Sequence, residues 1–395
     1  LSPFQRIQND LDFIREKKTM GMFKRVDLIL NQGKASFVNE HTVEAGGREI
    51  TADKIFICTG TRPEIPPFPG IEQVHPLTNE TMFSLDRIPE KLIVIGGGAI
   101  ACEMAQAFSR LGSKVTILYR GPRLLKREDP DAAICLEKTF TDEGIQILHN
   151  ETPQRFSVRG ENIIVATGQN GELVTDKVLV AAGRRMEFSA LQLERAGIAY
   201  SEKGIKVDAY LRTSQPHIYA PGDCNGHHLF SHAAMHQGMV ALCNCMMPRP
   251  MRIDFRKFVV PSTIFTDPQI SRVGASEHEL RKRGLKFETI TVPYADYGAA
   301  IAEKVDTGFV KVLTSRWGKI YGATVVGEGS SDMINEWGLA VQEKVRMHKL
   351  LFLQHSFPSM SFLNKRAAET WMMNIMQSSA LMRKMSQIMF RGIFR

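Results

Sequence analysis

A glycine-rich turn set between two apolar strands, and starting only at Leu92, constrains this chain more than any other feature. Leu92-Ile93-Val94-Ile95 reads as a buried parallel strand, and Gly96-Gly97-Gly98-Ala99-Ile100-Ala101 as a turn. Residues 102–111 read as a helix stopped by Gly112, and Val115-Thr116-Ile117-Leu118 as the next strand. That is a complete βαβ unit carrying a dinucleotide-binding fingerprint. Gly96 permits the tight turn, Gly98 lets the backbone approach a pyrophosphate, and Ala101 lets helix pack on strand, which leaves the diphosphate among free N–H groups at the helix start. A bare GxGxxG is weak evidence. Here strand, helix, stop and second strand all fall in place around it.

The 395 residues suffice for two or three domains, and 43% hydrophobic with 23% charged residues are values of a globular chain. No apolar run approaches bilayer length, and Leu1-Ser2-Pro3-Phe4-Gln5-Arg6 has no signal-peptide pattern. Six scattered cysteines, most within apolar strand or helix patterns, read as reduced thiols, so a cytoplasmic location is expected. Cys243-Asn244-Cys245 is too closely spaced for a CxxC pair. The net charge of +8 is mild for this length and gives no argument for a nucleic-acid partner.

Two segments repeat. Asp53-Lys54-Ile55-Phe56-Ile57-Cys58-Thr59-Gly60-Thr61-Arg62 and Asp176-Lys177-Val178-Leu179-Val180-Ala181-Ala182-Gly183-Arg184-Arg185 share an acid-Lys start, apolar residues, small residues, Gly and a trailing Arg, at an offset of 123. Hairpin-like sequence precedes both, around Gly46-Gly47 and around Asn170-Gly171. The pattern reads as a duplicated nucleotide-binding domain. Subtracting the offset from Gly96 places the first copy's glycine turn at −27, so the chain is expected to be a fragment or to have lost that phosphate loop.

On these residues the chain resembles the pyridine nucleotide-disulfide oxidoreductases, flavoproteins that include dihydrolipoamide dehydrogenase, glutathione reductase and mercuric reductase. The resemblance runs to about Trp371. Cys58-Thr59-Gly60-Thr61-Arg62-Pro63 is similar to the segment closing the family's FAD domain, Ala182-Gly183-Arg184 to the one closing its NAD(P) domain, and Ile218-Tyr219-Ala220-Pro221-Gly222-Asp223 to the second FAD segment. The resemblance implies an FAD contact at Asp223, which otherwise reads as the N-cap of a helix beginning near Ser231, and both roles are compatible. Phe265-Thr266-Asp267-Pro268 and Gly308-Phe309-Val310 resemble the dimerisation domain, which implies a homodimer. Glu103 matches a glutamate that approaches the nicotinamide in relatives; a solvent-facing helix charge is the alternative.

The run from Leu118 to Pro130 looks most like the mercuric reductase branch. The acidic residue expected to bind a ribose 2′-OH is replaced by Tyr119, with Arg120 and Arg123 beside it. Guanidinium groups pair bidentately with a 2′-phosphate, so NADPH is expected over NADH; a solvated basic turn is the alternative.

Departures matter as much. None of the six cysteines has the family's Cys-x4-Cys spacing. Phe357 stands where many members carry the acid-base His, and Phe362 where they carry its Glu; phenylalanine cannot transfer a proton. No catalytic residue is assigned. His355 substitutes only if its loop shifts, and a surface or interface His is the other reading. His228, His232 and His236 have the spacing of one helical face, which reads either as a metal site or, by the resemblance, as the segment 229–232 lying against the flavin. No metal is assigned.

The expected fold is α/β, with two Rossmann-like FAD and NAD(P) nucleotide-binding domains, the first incomplete, plus an α+β dimerisation domain. Its limits are a partial FAD domain at 1–90, an NAD(P) domain at 91–185, an FAD return segment at 186–255, a dimerisation domain at 256–371 and a Met-rich basic tail at 372–395. The tail packs on the protein's own surface or makes weak contact with an anionic membrane surface. The expected cofactor contacts are Thr59, Gly60, Gly96, Gly98, Ala101, Glu103, Tyr119, Arg120, Arg123, Gly183, Asp223, Ser231 and His232. The expected activity is hydride transfer from NADPH through FAD to a disulfide, metal or other small acceptor. A non-catalytic nucleotide-binding dimer, acting as sensor or scaffold, or an inactive fragment, is the alternative.

Overall fold

The computed structural model describes residues 2–378. The chain divides into two compact units, one made of the residues through Gly96 with Pro153–Phe258, the other of Gly97–Thr152 with the described residues from Val259 onward. The stretch 91–185 is thereby shared between them.

In the first unit the two repeated segments take the same form. Ile55–Phe56 runs parallel to Ile218–Tyr219, and Lys177–Val180 runs parallel to Lys91–Ile95. Strands 92–95 are buried on both faces, with Leu92, Ile93, Val94 and Ile95 at most 5% exposed, which explains an unbroken apolar run where an alternating one would mark a half-solvated strand. Both hairpins form: Thr42–Ala45 with Arg48–Thr51, and Asn162–Thr167 with Glu172–Thr175. Gly46 and Gly47 turn the first at φ +59° and +73°, a region closed to most side chains.

The repeat-closing segments meet each other. Arg62 lies opposite Arg185 in a short antiparallel pair, and these are equivalent positions in the repeat, so a local two-fold relates the two copies at this point. Sequence comparison detects the repetition; only the fold shows that its two ends pair.

The second unit opens with the fingerprint helix, Ala99–Arg110. It starts three residues earlier than the expected 102, because Gly98, extended at φ −91° and ψ 174° on the negative side, already acts as N-cap and the small residues that follow are good helix formers. Ala101, Cys102, Ala105 and Phe108 are buried at helical spacing. Lys114–Tyr119 and Gln146–His149 are parallel strands, with helix Pro130–Asp142 between them in sequence.

The remainder of this unit is a five-stranded antiparallel sheet. Its strands run in the order Ser262–Ile264, Ile270–Gly274, Ile320–Val326, Phe309–Thr314, Glu288–Pro293. Helices Ser330–Gln342 and Phe362–Ser378 contribute Trp337 and Leu363 to a core shared with Tyr294, Val310 and Val325. Trp337 is fully buried, and its indole N–H donates to Asn364 Oδ1 at 2.8 Å, so the polar edge of the ring is satisfied inside the core.

Of the Met-rich tail, residues 379–395 lie outside the described part, and 372–378 finish the helix Phe362–Ser378. No helix among the described residues is long and apolar enough to cross a membrane.

Candidate functional site

The glycine turn is built by close approach. At Gly96, φ is +133° and a Cβ would stand 2.3 Å from the Ala181 carbonyl oxygen. At Gly97 a Cβ would stand 2.6 Å from Cδ2 of Tyr119, and at Gly121 one would stand 2.7 Å from Cε1 of the same ring. Tyr119 therefore lies in a slot that only two glycines leave open. The Gly97 carbonyl accepts the Leu125 N–H at 2.7 Å, which ties the turn to the segment after the second strand. Gly97 and Gly121 carry no role in the sequence reading.

Gly98 differs from its neighbours. It is exposed, a Cβ there would meet nothing within 4 Å, and the helix it opens has no side-chain cap. First-turn N–H groups beside open space have the chemistry that suits an anion. Ala101 is fully buried, as close helix packing requires.

Beyond Tyr119, Arg120 is exposed, whereas Arg123 keeps a buried Nη1 with no hydrogen-bond partner. A buried donor without an acceptor costs about 1–3 kcal/mol, and a ligand phosphate oxygen relieves that cost. The loop that carries it is held at both ends. Leu124 N–H donates to Glu137 at 2.6 Å; Glu128 pairs with Arg272 at 2.8 Å; Asp129 and Asp131 pair with Lys311 at 3.0 and 2.6 Å. Burial opposes the Lys311 charge, yet the hydrogen bonds it donates to Asp131 and Asp129 outweigh it and raise its pKa. Burial also raises the pKa of Glu128, against the pull of Arg272.

Glu103 is half-buried rather than solvent-facing, and its Oε1 accepts the Phe265 N–H at 2.8 Å. Burial raises its pKa, and that hydrogen bond partly offsets the rise. Gln106 and Arg110 continue the same helix face. Gln106 exchanges two hydrogen bonds with the backbone of Asp267, both 2.7 Å, and Arg110 pairs with the Asp267 carboxylate at 2.7 Å.

In the first unit, Asp223 accepts from Thr61 Oγ1 at 3.1 Å and lies 3.6 Å from Arg184 Nη2, while Arg184 Nε donates to Thr61 Oγ1. Thr61 and Arg184 are themselves repeat-equivalent positions. Asp223 belongs to a single turn, Asp223–Asn225, and is not the N-cap of helix Ser231–Met246, whose N-cap is Phe230. The intervening turn at Gly226 breaks the path from one to the other. Beneath it, Gln237 Oε1 accepts from Gly222 N–H at 2.8 Å and Asn225 Nδ2 at 2.7 Å. Neither amide was legible as a site residue, since a neutral side chain in a short turn (Asn225) or an apolar helix (Gln237) carries no spacing signal.

Thr59 is exposed beside Gly60, which takes φ +67° with open space about it. Gly183 has φ +152° and would bring a Cβ to 3.0 Å from Glu64 Oε2. Ser231 and His232 are exposed at the start of their helix, which also lacks a side-chain cap. The histidines nearby face separate aromatic rings: His227 the Phe255 ring, His232 that of Phe230 and His236 that of Phe258. Among the described residues no three His, Cys, Asp or Glu side chains are grouped to hold a metal. All six cysteines are free; burial raises the pKa of Cys102 strongly and pushes Cys224 up to about 12, while Cys58 is exposed.

At the C-terminal loop, Phe357 is 74% exposed with its ring edge-on to Phe362. The His355 side chain is only 5% exposed and pairs with Glu336 at 3.0 Å, which sets aside the surface half of the expected surface or interface histidine. Asn364 donates to the second oxygen of that carboxylate at 2.7 Å. The pairing turns on Glu336, distant in sequence and without a motif.

Residues 9–238 match the model of the pyridine nucleotide-disulphide oxidoreductase family, and residues 260–367 the model of that family's dimerisation domain. The chain is 33% identical over 334 residues to a mercuric reductase of Staphylococcus aureus, a match covering 83% of this chain and 61% of that protein. It is 32% identical over 321 residues to a dihydrolipoyl dehydrogenase of Bacillus subtilis (strain 168), covering 80% of this chain and 69% of that one. Among solved structures, the HOCl-induced flavoprotein disulfide reductase RclA from Escherichia coli, in its Cu(II) complex, superposes with a TM-score of 0.85 at 29% identity, covering 92% of this chain and 84% of that chain.

Proposed function

Because this chain belongs to the pyridine nucleotide-disulphide oxidoreductase family, we propose that it binds NADPH at the turn 96–98 and, with FAD, passes reducing equivalents to a small electron acceptor. One observation carries the choice of nucleotide: Tyr119 fills the glycine slot where a carboxylate would favour a ribose 2′-OH, and Arg123 offers an unpaired buried guanidinium nitrogen on the same loop. The open N-terminus at Gly98 takes the diphosphate, Tyr119 takes the adenosine side, and Arg120 with Arg123 takes the 2′-phosphate.

Thr59, Gly60, Gly183 and Asp223 would take the sugar-alcohol side of FAD, and the N–H groups of Ser231 and His232 its pyrimidine edge. Bound there, FAD supplies a ring that accepts hydride from the nicotinamide and hands electrons onward. The residues of this chain then act by holding: Thr61 and Arg184 fix the Asp223 carboxylate in one orientation, and Gln237 with Asn225 fixes the turn beneath it. Phe357 and Phe362 provide no proton at the positions where a disulfide substrate needs one, which favours an acceptor that requires none from this loop. The domain limits drawn from the sequence, a homodimeric assembly and a cytoplasmic setting belong to the same proposal.

Calorimetric titration of the chain with NADPH and NADH tests the nucleotide assignment. NADPH should bind at least about tenfold more tightly, and Arg123→Gln should remove most of that preference. Equal affinity for the two nucleotides overturns it.

A further inference from the structure

We propose that the hairpin turn carrying Trp317 is a docking surface for an anionic lipid bilayer, with the indole entering the headgroup layer and the cations around it meeting the lipid charge. The inference is independent of the nucleotide reading and concerns the second unit alone.

The turn joins strands Phe309–Thr314 and Ile320–Val326. Ser315 accepts the Gly318 N–H through its carbonyl at 2.9 Å and the Lys319 N–H through its hydroxyl at 3.1 Å, and Gly318 takes φ +73°. Arg316 and Trp317 therefore occupy the two corners, where no strand neighbour covers them. Trp317 is 75% exposed, whereas the other two tryptophans of the chain, Trp337 and Trp371, are buried.

The backbone of the turn is nonetheless fixed. Arg346 Nη1 donates to the Trp317 carbonyl at 3.2 Å, and the Met347 N–H donates to that of Gly318 at 2.9 Å. A Cβ on Gly318 would stand 2.7 Å from Cζ2 of Trp371. An aromatic ring held out in water by a turn this firmly seated loses little conformational freedom when something covers it.

Charge and shape together name the partner. The turn and the segment it leans on, 315–319 and 344–349, contain Arg316, Lys319, Lys344, Arg346 and Lys349, all exposed, and no acidic residue. None of the five forms an ion pair among the described residues. The Arg316 guanidinium lies 5.9 Å from the centroid of the indole, so cation and ring are presented together. A protein partner of ordinary size covers about 800 Å² on each side around a packed core, more than one ring on a convex turn supplies. A headgroup layer needs no matching shape; it accepts indole rings at its own depth and attracts each Lys or Arg held near it. Helix Phe362–Ser378, which carries Trp371, leads toward residues 379–395, whose sequence adds Arg383, Lys384, Arg391 and Arg395 with no acidic residue.

The test mixes the full chain with vesicles of phosphatidylcholine alone, or of phosphatidylcholine and phosphatidylglycerol in equal parts, and reads co-sedimentation and tryptophan emission. The chain should sediment with the anionic vesicles only. Its emission should move to the blue, a signal that belongs to Trp317 because Trp337 and Trp371 are already out of water. Trp317→Ala should abolish that shift and weaken binding about tenfold. Lys319→Glu should weaken binding at least about tenfold, and Lys138→Glu, an equal change of charge on the exposed side of helix Pro130–Asp142, less than about twofold. No sedimentation with anionic vesicles overturns the proposal, as does equal binding to both vesicle types. Anionic binding that survives both turn variants overturns it as well, since it would place the contact elsewhere on the chain. Binding to polyglutamate without binding to vesicles also overturns it and would mark an acidic polypeptide as the partner.

Discussion

A single missing carbon at Gly97 decides whether Tyr119 fits, because a Cβ there would stand 2.6 Å from the ring. Gly97→Ala is expected to lower stability by about 1–3 kcal/mol in urea unfolding. Gly98→Ala is its complement: φ is −91° and the space is open, so stability should stay within about 0.5 kcal/mol while NADPH binding falls about tenfold or more as the methyl fills the diphosphate approach. Glu103 makes a prediction in pH. Burial raises its folded-state pKa above 4.5, so the folded chain holds its proton more tightly than the unfolded chain does, and this group's stabilising effect is present at low pH and lost as pH rises through the raised pKa. Glu103→Gln keeps an acceptor for Phe265 N–H without the charge. It should be at least as stable as the unmodified chain at pH 7, with the advantage vanishing below about pH 4.5; an advantage that instead grows in acid contradicts the assignment.

The helix Pro130–Asp142 and the loop leading into it depend on a buried cation. Lys311, in strand Phe309–Thr314, is 7% exposed and meets Asp129, Asp131 and, at 3.5 Å, Glu277. Removing the cation leaves Asp129, itself 9% exposed, without its counter-ion, so Lys311→Met should cost about 3 kcal/mol in urea unfolding; a loss below about 1 kcal/mol would mean that water reaches the cluster. Elements were the most legible scale in the sequence. The apolar run 92–95, the two hairpins around paired turn residues and the helix at Ser231 follow from local rules, and all of them formed. What stayed hidden depends on neighbours distant in the chain. Thr61 meets Arg184 because a local two-fold relates their segments, and His355 meets Glu336 because the loop after helix Met347–Phe352 returns to the middle of helix Ser330–Gln342. Charge, spacing and periodicity describe a segment's own faces, and none of them names the residue across from it. The early start of helix Ala99–Arg110 is the same lesson in reverse, since reading alanines as part of a motif suppressed their plain helix propensity.

For the whole molecule, the match to a dimerisation domain gives the exposed apolar side chains of the second unit a use. Leu339 on helix Ser330–Gln342 is 64% exposed, and Phe352 ending helix Met347–Phe352 is 80% exposed. In light scattering the chain should run as two copies, and Phe352→Glu should shift it toward one; an unmodified chain that is already monomeric contradicts the dimer. The duplication was visible in the sequence, whereas its physical consequence, equivalent residues pairing with each other and jointly gripping Asp223, required the fold. The central claim is that this chain joins a pyridine nucleotide to a flavin, and it is tested most directly by loading the full chain with FAD and titrating it with NADPH in the absence of oxygen. The account predicts that FAD stays bound through gel filtration and that its visible absorbance is bleached by NADPH, more readily than by NADH. A chain that fails to retain FAD, or one whose bound flavin keeps its colour when NADPH is in excess, would contradict it.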